Sequence, residues 1–309
     1  MARFWRNLIL LVLFALISMA STAQELPTYT PPASKAWDGK SRYTVLVLGM
    51  DRRPGARDTL STRTDVMILV SFDPATRTIG MLHIPRDIHL ALPDSGELVR
   101  VNTLLVLGEQ KAIGYGPYYA METLQANLGM YVDAYIAFDF EAFITIIDAM
   151  GGIVMDIPYE IYDATYPDMN FGYDPFYINA GVQTLDGRTA LKYSRTRHGD
   201  NDYVRGIRQM AVMTAVKDRL TDPQVLQMLL SQVPTLVPQL NDNVYSNIAF
   251  DQLTFLGLVM LESKPSVITG GINTSNSLEY TTPSGAVRIP DREKLAQLLV
   301  DTFGSDYWK

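Results

Sequence analysis

Residues 133–157 read DAYIAFDFEAFITIIDAMGGIVMDI, and this stretch sets the fold class. Asp133–Phe138 is a short apolar run of strand length. Phe140–Met150 is a helix that Gly151-Gly152 brings to an end. Ile153–Ile157 is a second strand, stopped by Pro158. Strand, helix and strand in succession predict a βαβ unit with a right-handed crossover.

Nearer the N-terminus, Tyr43–Leu48 (YTVLVL) reads as a buried strand with a turn at Gly49. Thr64–Phe72 and Thr78–Ile84 are two more strands, and the short Asp73–Thr76 turn between them predicts an antiparallel hairpin. Tyr118–Leu128 is helical and closed by Gly129. Tyr159–Phe176 is aromatic, acidic and Pro-containing, and is expected to run over the surface. Helices are expected at Leu185–Tyr193, Tyr203–Leu220, Pro223–Ser231 and Asp251–Leu261. Short strands at Ser266–Thr269 and Ala286–Ile289 then precede a closing helix, Asp291–Phe303. The alternation predicts an α/β protein, a three-layer α/β/α sandwich around a mixed central sheet.

Composition narrows the chemistry. The 309 residues carry 26 Lys and Arg against 33 Asp and Glu, a net charge of −7. No general basic surface for nucleic acid is present, so an anion site must be a local concentration of arginine. With no cysteine, disulfides, thiol catalysis and zinc–thiolate centres are excluded. Three histidines (His83, His89 and His198) are too few for a His-rich metal centre.

Residues 1–23 have a basic start at Arg3 and Arg6, an apolar run Leu8–Ala20, and the small residues Ser21-Thr22-Ala23. They read as a signal peptide or signal anchor, and place the rest of the chain outside the cytoplasm. Residues 24–42, with Pro27, Pro31 and Pro32, read as an extracytoplasmic linker, and 43–309 as the folded domain.

Two groups of polar residues carry the functional reading. In Leu185–Gln209, Arg195 and Arg197 stand two apart, so in extended chain they leave one face. Arg205, Arg208 and Gln209 share a helical face, with Ile207 and Met210 turned roughly the other way as anchors to a core. Converging guanidinium forks suit a phosphate or diphosphate. Upstream, Asp51 follows the first strand, Arg63 and Asp65 flank the start of the second, and Arg86-Asp87 follow the third. Two carboxylates near several arginines suit a diphosphate with a divalent cation such as Mg²⁺.

The segments VLVLGMDRR, TRTDVMILVSFDPATRTIGMLHIPRD, VDAYIAFDFEAFITIIDAMGGIVMDIP and LDGRTALKYSRTRHGDNDYVRGIRQ, in this order, resemble the LytR–CpsA–Psr family. The likeness runs from about Tyr43 to Leu220 and more weakly to Phe303. It departs at Arg100-Val101-Asn102-Thr103-Leu104-Leu105, where the family tends to show a Lys-Ile-Asn-Ala-Ala-Tyr-like run, and at His83, where a small hydroxyl residue is frequent. The resemblance implies a membrane-attached phosphotransferase on the outer face of the cell membrane. Its substrates would be a glycopolymer on polyprenyl diphosphate and a peptidoglycan acceptor, with lipid-diphosphate hydrolysis as a side activity. A non-catalytic polyprenyl-diphosphate-binding scaffold is the alternative.

Carried over by motif, Asp51 and Asp65 would face Mg²⁺. Arg63, Arg86, Arg195, Arg197 and Arg205 would hold the diphosphate, Gln209 would hydrogen-bond it, and Arg208, Asp202 and Asp87 would orient. An acceptor hydroxyl would attack the phosphorus nearer the sugar and expel polyprenyl phosphate. Arg86 and Arg205 would stabilise the developing charge, and Asp87, preferred to His198, would be the base. The lipid tail is expected against helix 140–150 and the apolar side of helix 203–220.

Overall fold

Two apolar runs form the middle of the sheet. Tyr43–Met50 is β1 and Thr64–Asp73 is β2, paired antiparallel from Tyr43↔Phe72 to Met50↔Thr64. Side chains alternate between faces along a strand. On β1 the set Leu46, Leu48 and Met50 and the opposite set Tyr43 and Val47 are all buried. Cover on both faces explains a run that is apolar throughout rather than at every second residue. The turn after Asp73 returns the chain as β3 (Thr78–His83), antiparallel to β2, which is the expected hairpin.

The computed structural model describes residues 29–31, 37–52, 60–168, 172–196, 202–248, 252, 255, 256, 259 and 262–308. After β3 come β4 (His89–Ala91), β5 (Leu98–Arg100), a 3₁₀ turn (Val101–Thr103), α1 (Leu104–Lys111) and α2 (Gly116–Leu128). Then follow β6 (Ala134–Phe138), α3 (Phe140–Ala149), β7 (Ile153–Ile157), β8 (Ile161–Asp163), β9 (Phe176–Ile178) and β10 (Gly181–Leu185). Three helices succeed them: α4 (Gly187–Arg195), α5 (Asp202–Leu220) and α6 (Pro223–Leu240). The chain continues with β11 (Val244–Ser246), β12 (Ser266–Gly271), β13 (Ser277–Thr282), β14 (Gly285–Pro290) and α7 (Arg292–Phe303).

The chain divides into two compact units. One is Asp139–Asn243, and the other holds the described residues before and after it. The latter contains a mixed six-stranded sheet in the order β11-β6-β1-β2-β3-β12, in which β6 runs parallel to β1 and β12 to β3. One face packs against α1, α2 and α7 through Leu104, Leu105, Leu124, Leu295 and Phe303. The fold is thus α/β with a mixed central sheet, as the sequence predicts.

Four expectations need correction. The strands of the predicted βαβ unit do not share a sheet, because β7 pairs antiparallel with β10 in a separate ribbon of the Asp139–Asn243 unit. The predicted surface run 159–176 contains β8 and the first residue of β9, and buries Ile161, Asp163, Tyr166 and Phe176. Leu185 ends β10, and the helix starts only at Gly187. The predicted linker ends in a packed segment, since Trp37 is buried among Tyr43, Phe72 and Phe255. Among the described residues no helix is long and apolar enough to cross a membrane. Residues 1–28, which hold the predicted export segment, lie outside them.

Candidate functional site

The predicted residues fall into two sets, one in each unit. The first stands where β1 and β3 end and the antiparallel β2 begins, which is one end of the sheet. Ligand sites of open α/β sheets lie at such carboxyl ends. Gly49 pairs with Val66 but Met50 with Thr64, so Asp65 is the extra residue of a β-bulge. A bulge re-aims its side chain out of the regular alternation. Gly49 permits the close approach, since a Cβ there would lie 2.8 Å from Val66 Cβ.

Asp65 Oδ1 accepts from Arg86 Nη1 at 2.7 Å, while its Oδ2 takes no hydrogen bond from the described residues. Arg86 Nε lies 3.6 Å from Asp87 Oδ2, and Arg100 Nη1 lies 3.5 Å from Asp87 Oδ1. The expected base, Asp87, therefore sits between two guanidiniums. The Asp51 N–H donates to Arg63 O at 2.9 Å and the Thr62 hydroxyl to Asp51 O at 3.1 Å, which pins the loop ends together. The side chains of Asp51 and Arg63 are exposed.

The second set belongs to α4 and α5. Asp186 caps α4, accepting from Thr189 N at 2.7 Å, and hydrogen bonds from the Thr189 hydroxyl and amide hold its carboxyl below the usual range. Arg195 is the last residue of this helix, not part of an extended segment, and its partner Arg197 lies outside the described residues, as does His198. The Arg195 guanidinium lies 4.1 Å from the Phe140 ring centroid and donates to Tyr166 Oη at 3.1 Å. Burial, the larger effect, pushes the Tyr166 phenol up against the lowering influence of Arg195.

On α5, Arg205 is 4% exposed, Arg208 3% and Gln209 3%. Met210 is buried as expected, but Ile207 is 53% exposed, so the arginine face turns inward and Ile207 anchors nothing. A buried guanidinium is costly unless polar groups meet it. Arg208 Nη2 donates to Thr196 O, and the Thr196 hydroxyl donates to Asp163 Oδ2 at 2.7 Å. Gln209 Nε2 lies 3.5 Å from Ser194 O. Asp202 opens α5.

The sequence reading missed Phe140, Asp163, Tyr166 and Thr196, which position Arg195 and Arg208. For Asp163 and Tyr166 a signal exists, the unusual density of Tyr and Asp over 159–176. In the same unit, the half-buried Phe143 and Ile146 on α3 pack against a hydrophobic core that takes in Val212 and Ala215 of α5, so core packing occupies these residues of the two helices where a lipid tail was expected.

The acidic donors fit a hard divalent cation only in part. Asp51 and Asp65 offer carboxylate oxygens at one sheet end, but among the described residues no group of three His, Cys, Asp or Glu converges. Mg²⁺ commonly binds through one or two carboxylates and completes its shell with phosphate oxygens and water. The pair suits that mode and does not suit a cage made by protein alone.

A family model described as the LytR_cpsA_psr family matches residues 14–289. An uncharacterized Staphylococcus aureus protein is 28% identical over 264 residues, covering 83% of this chain and 60% of that protein. The Bacillus subtilis polyisoprenyl-teichoic acid–peptidoglycan teichoic acid transferase TagV is 28% identical over 213 residues, 68% of this chain and 50% of that protein. The chain thus spans about half to three-fifths of the length of these two curated relatives. The crystal structure of TagV superposes with a TM-score of 0.62 at 25% identity, covering 84% of this chain and 94% of that one.

Proposed function

The chain belongs to the LytR–CpsA–Psr family, and on that premise we propose that it is a cell-envelope phosphotransferase. It moves a glycopolymer from a polyprenyl-diphosphate carrier onto peptidoglycan, on the outer side of the membrane. The observation that carries this reading is the inward-facing Arg205, Arg208 and Gln209 on α5, with Arg195 stacked on Phe140. In a chain of net charge −7, buried guanidiniums serve a multiply charged anion better than any general surface role. Similarity to a teichoic acid transferase of B. subtilis supports the same donor and acceptor classes.

The reaction needs little covalent chemistry from the protein. An acceptor hydroxyl oxygen forms a bond to the sugar-side phosphorus, and the bond from that phosphorus to the bridging oxygen breaks. Polyprenyl phosphate leaves with the electron pair, and the acceptor proton passes to Asp87 or to solvent. By motif position, Arg86, Arg195 and Arg205 are assigned to the charge that builds on the phosphate oxygens. Asp51 and Asp65 would hold Mg²⁺, which when bound adds further charge stabilisation. Arg63 and Arg197 are assigned to the diphosphate by motif position. The N-terminal segment tethers or exports the chain.

Incubating the purified protein with a polyprenyl diphosphate, with and without Mg²⁺, tests this. Release of phosphate, or transfer to glycan strands, is the expected result. Tight binding with no turnover under any metal condition would leave only a lipid-diphosphate-binding scaffold.

A further inference from the structure

From Ile153 to Leu185 the chain holds five Tyr and five Asp or Glu, and no Lys, Arg or His. The reaction above draws on one side of this segment only, where Tyr166 meets Arg195 and Asp163 meets Thr196. Here β7 pairs with β10 and β8 with β9. Both ribbons bury alternate residues, among them Ile153, Ile157, Ile161 and Ile178, in one core. Their other side faces water. On it Tyr162 and Tyr177 are cross-strand partners, 56% and 54% exposed, with ring centroids 6.5 Å apart and planes tilted by 59°. Tyr159, just before β8, and Tyr173, bridged to Pro167 beyond it, are exposed as well. Tyr177 Oη donates to Asn179 Oδ1 at 2.8 Å and lies 3.4 Å from Glu160 Oε2, which steadies its ring.

A lone exposed apolar residue needs no explanation, but a row of exposed rings edged by polar groups marks an interaction surface. Tyrosine supplies rigid, amphipathic contact area with little rotamer freedom to lose. The negative face of its ring attracts partly positive C–H groups. A pyranose ring offers such a C–H face, with hydroxyls around its edge that carboxylate and amide oxygens can accept from. Charge then chooses among occupants. An anionic polymer or an anionic lipid surface seeks basic residues, and this segment has none. A second copy docked about a two-fold axis would set the same acidic strip against itself. Uncharged sugar rings meet neither penalty.

We propose that the outer side of this double ribbon, centred on Tyr162 and Tyr177, docks the sugar rings of the acceptor glycan strand. The proposal rests on the phosphotransferase reading for the identity of the strand, while the exposed rings and the charge pattern stand independently of it. The inner side of the same ribbon fixes Arg195 through Tyr166, so one element holds the strand outside and an anion-binding arginine inside. The tyrosines bind and take no part in bond making.

The full-length protein serves for the test, with Tyr162 and Tyr177 changed together to Ser in one variant and to Phe in another. Affinities are measured for peptidoglycan glycan strands freed of peptide and for a polyprenyl diphosphate. The Ser pair should bind strands about tenfold more weakly, the order expected for the loss of two aromatic contacts. The Phe pair keeps both rings and should stay within about twofold. Affinity for the lipid diphosphate should hold in both, as should Tm, because both side chains are exposed. If the Ser pair lowers Tm, Tyr159→Ser, which lies outside the strands, gives the same comparison with a smaller loss. Wild-type strand binding that is absent, or is matched by the Ser variants, overturns the proposal, as does an equal loss on the lipid diphosphate. So does a loss confined to flotation with anionic vesicles or to self-association in ultracentrifugation, which would assign the surface to a membrane or to a second copy. A wild-type protein that binds strands but turns over no lipid diphosphate sinks the phosphotransferase reading and leaves the docking surface. One that transfers as well with the Ser pair as without it sinks the surface and leaves that reading.

Discussion

Arg86 Nη1 lies 2.7 Å from Asp65 Oδ1, tying the loop after β3 to the bulge of β2. The contact holds one carboxylate oxygen and leaves Oδ2 without a hydrogen bond from the described residues. That division suits a residue with one structural and one functional task. Asp65→Asn keeps shape and hydrogen bonding but removes the charge. Turnover of lipid diphosphate is expected to fall about a hundredfold or more, in the range of losing one preorganised electrostatic partner. The melting temperature should move by only a few degrees, because the pair is partly solvent-exposed. Full activity in Asp65→Asn, or in excess chelator, would remove the carboxylate–metal element from the mechanism.

Arg195 gives a second test, because its guanidinium is fixed by Phe140 on one side and by Tyr166 Oη on the other. Arg195→Ala should weaken diphosphate binding about ten- to a hundredfold, the equivalent of roughly 1.5–3 kcal/mol for a charge-assisted contact. Arg195→Lys should not restore it, since an ammonium neither stacks as a plane nor forms a fork. Arg219, on the same helix as Arg205, makes an instructive contrast. It donates to Gly152 O at 2.9 Å and to Met150 O, closing the end of α3. Arg219→Ala should therefore lower Tm while leaving affinity unchanged. Equal affinity loss in both variants, measured by titration with lipid diphosphate, would mean that the arginines act through the fold alone.

What the sequence disclosed was local. β1, β2, β3, α2 and α3 were legible from apolar period and glycine placement, because each is decided within a dozen residues. The partner of β7 was not. IVMDI buries Ile153, Met155 and Ile157 and exposes Val154 and Asp156, the alternation of a ribbon with one wet face. Asp156, in the middle of an otherwise apolar run, is the mark of that wet face. Tyr166 and Asp163 read as surface because their burial depends on Arg195 and Thr196, some thirty residues onward. Ile207 was misplaced for a related reason. Hydrophobicity alone turns it inward, whereas the buried polar lattice around Arg208 takes that side of the helix.

Gly187 opens α4 against α3, and a Cβ there would stand 2.4 Å from Ile144 O and 2.6 Å from Ile144 Cα. Helix propensity favours alanine over glycine by about 1 kcal/mol, so the sign of Gly187→Ala is set by which effect is larger. Backbone atoms cannot swing aside as a side chain end can, and overpacking of this kind costs roughly 1–3 kcal/mol or more. The variant should be destabilised in denaturant titration, and diphosphate affinity should fall with it because α4 ends in Arg195. An unchanged or raised midpoint would show that α4 can shift without cost.

Asp186 supplies a pH test of the same helix. Hydrogen bonds from the Thr189 hydroxyl and amide favour its charged form, so its folded carboxyl titrates below the ordinary 3.8. A depressed carboxyl contributes stability that is fully present above the unfolded value and lost as pH falls through the folded one. Asp186→Ala should therefore cost the usual capping increment of about 0.5–2 kcal/mol at neutral pH. Asp186→Asn, which keeps the cap without the charge, should cost less. The gap between wild type and Asp186→Asn should be constant from neutrality down to the carboxylate range, then close as the cap is protonated. Unfolding curves across that acid limb read the difference directly. Parallel curves for the two proteins through the whole limb would mean that the Asp186 charge contributes nothing to holding α4, and with it Arg195, in place.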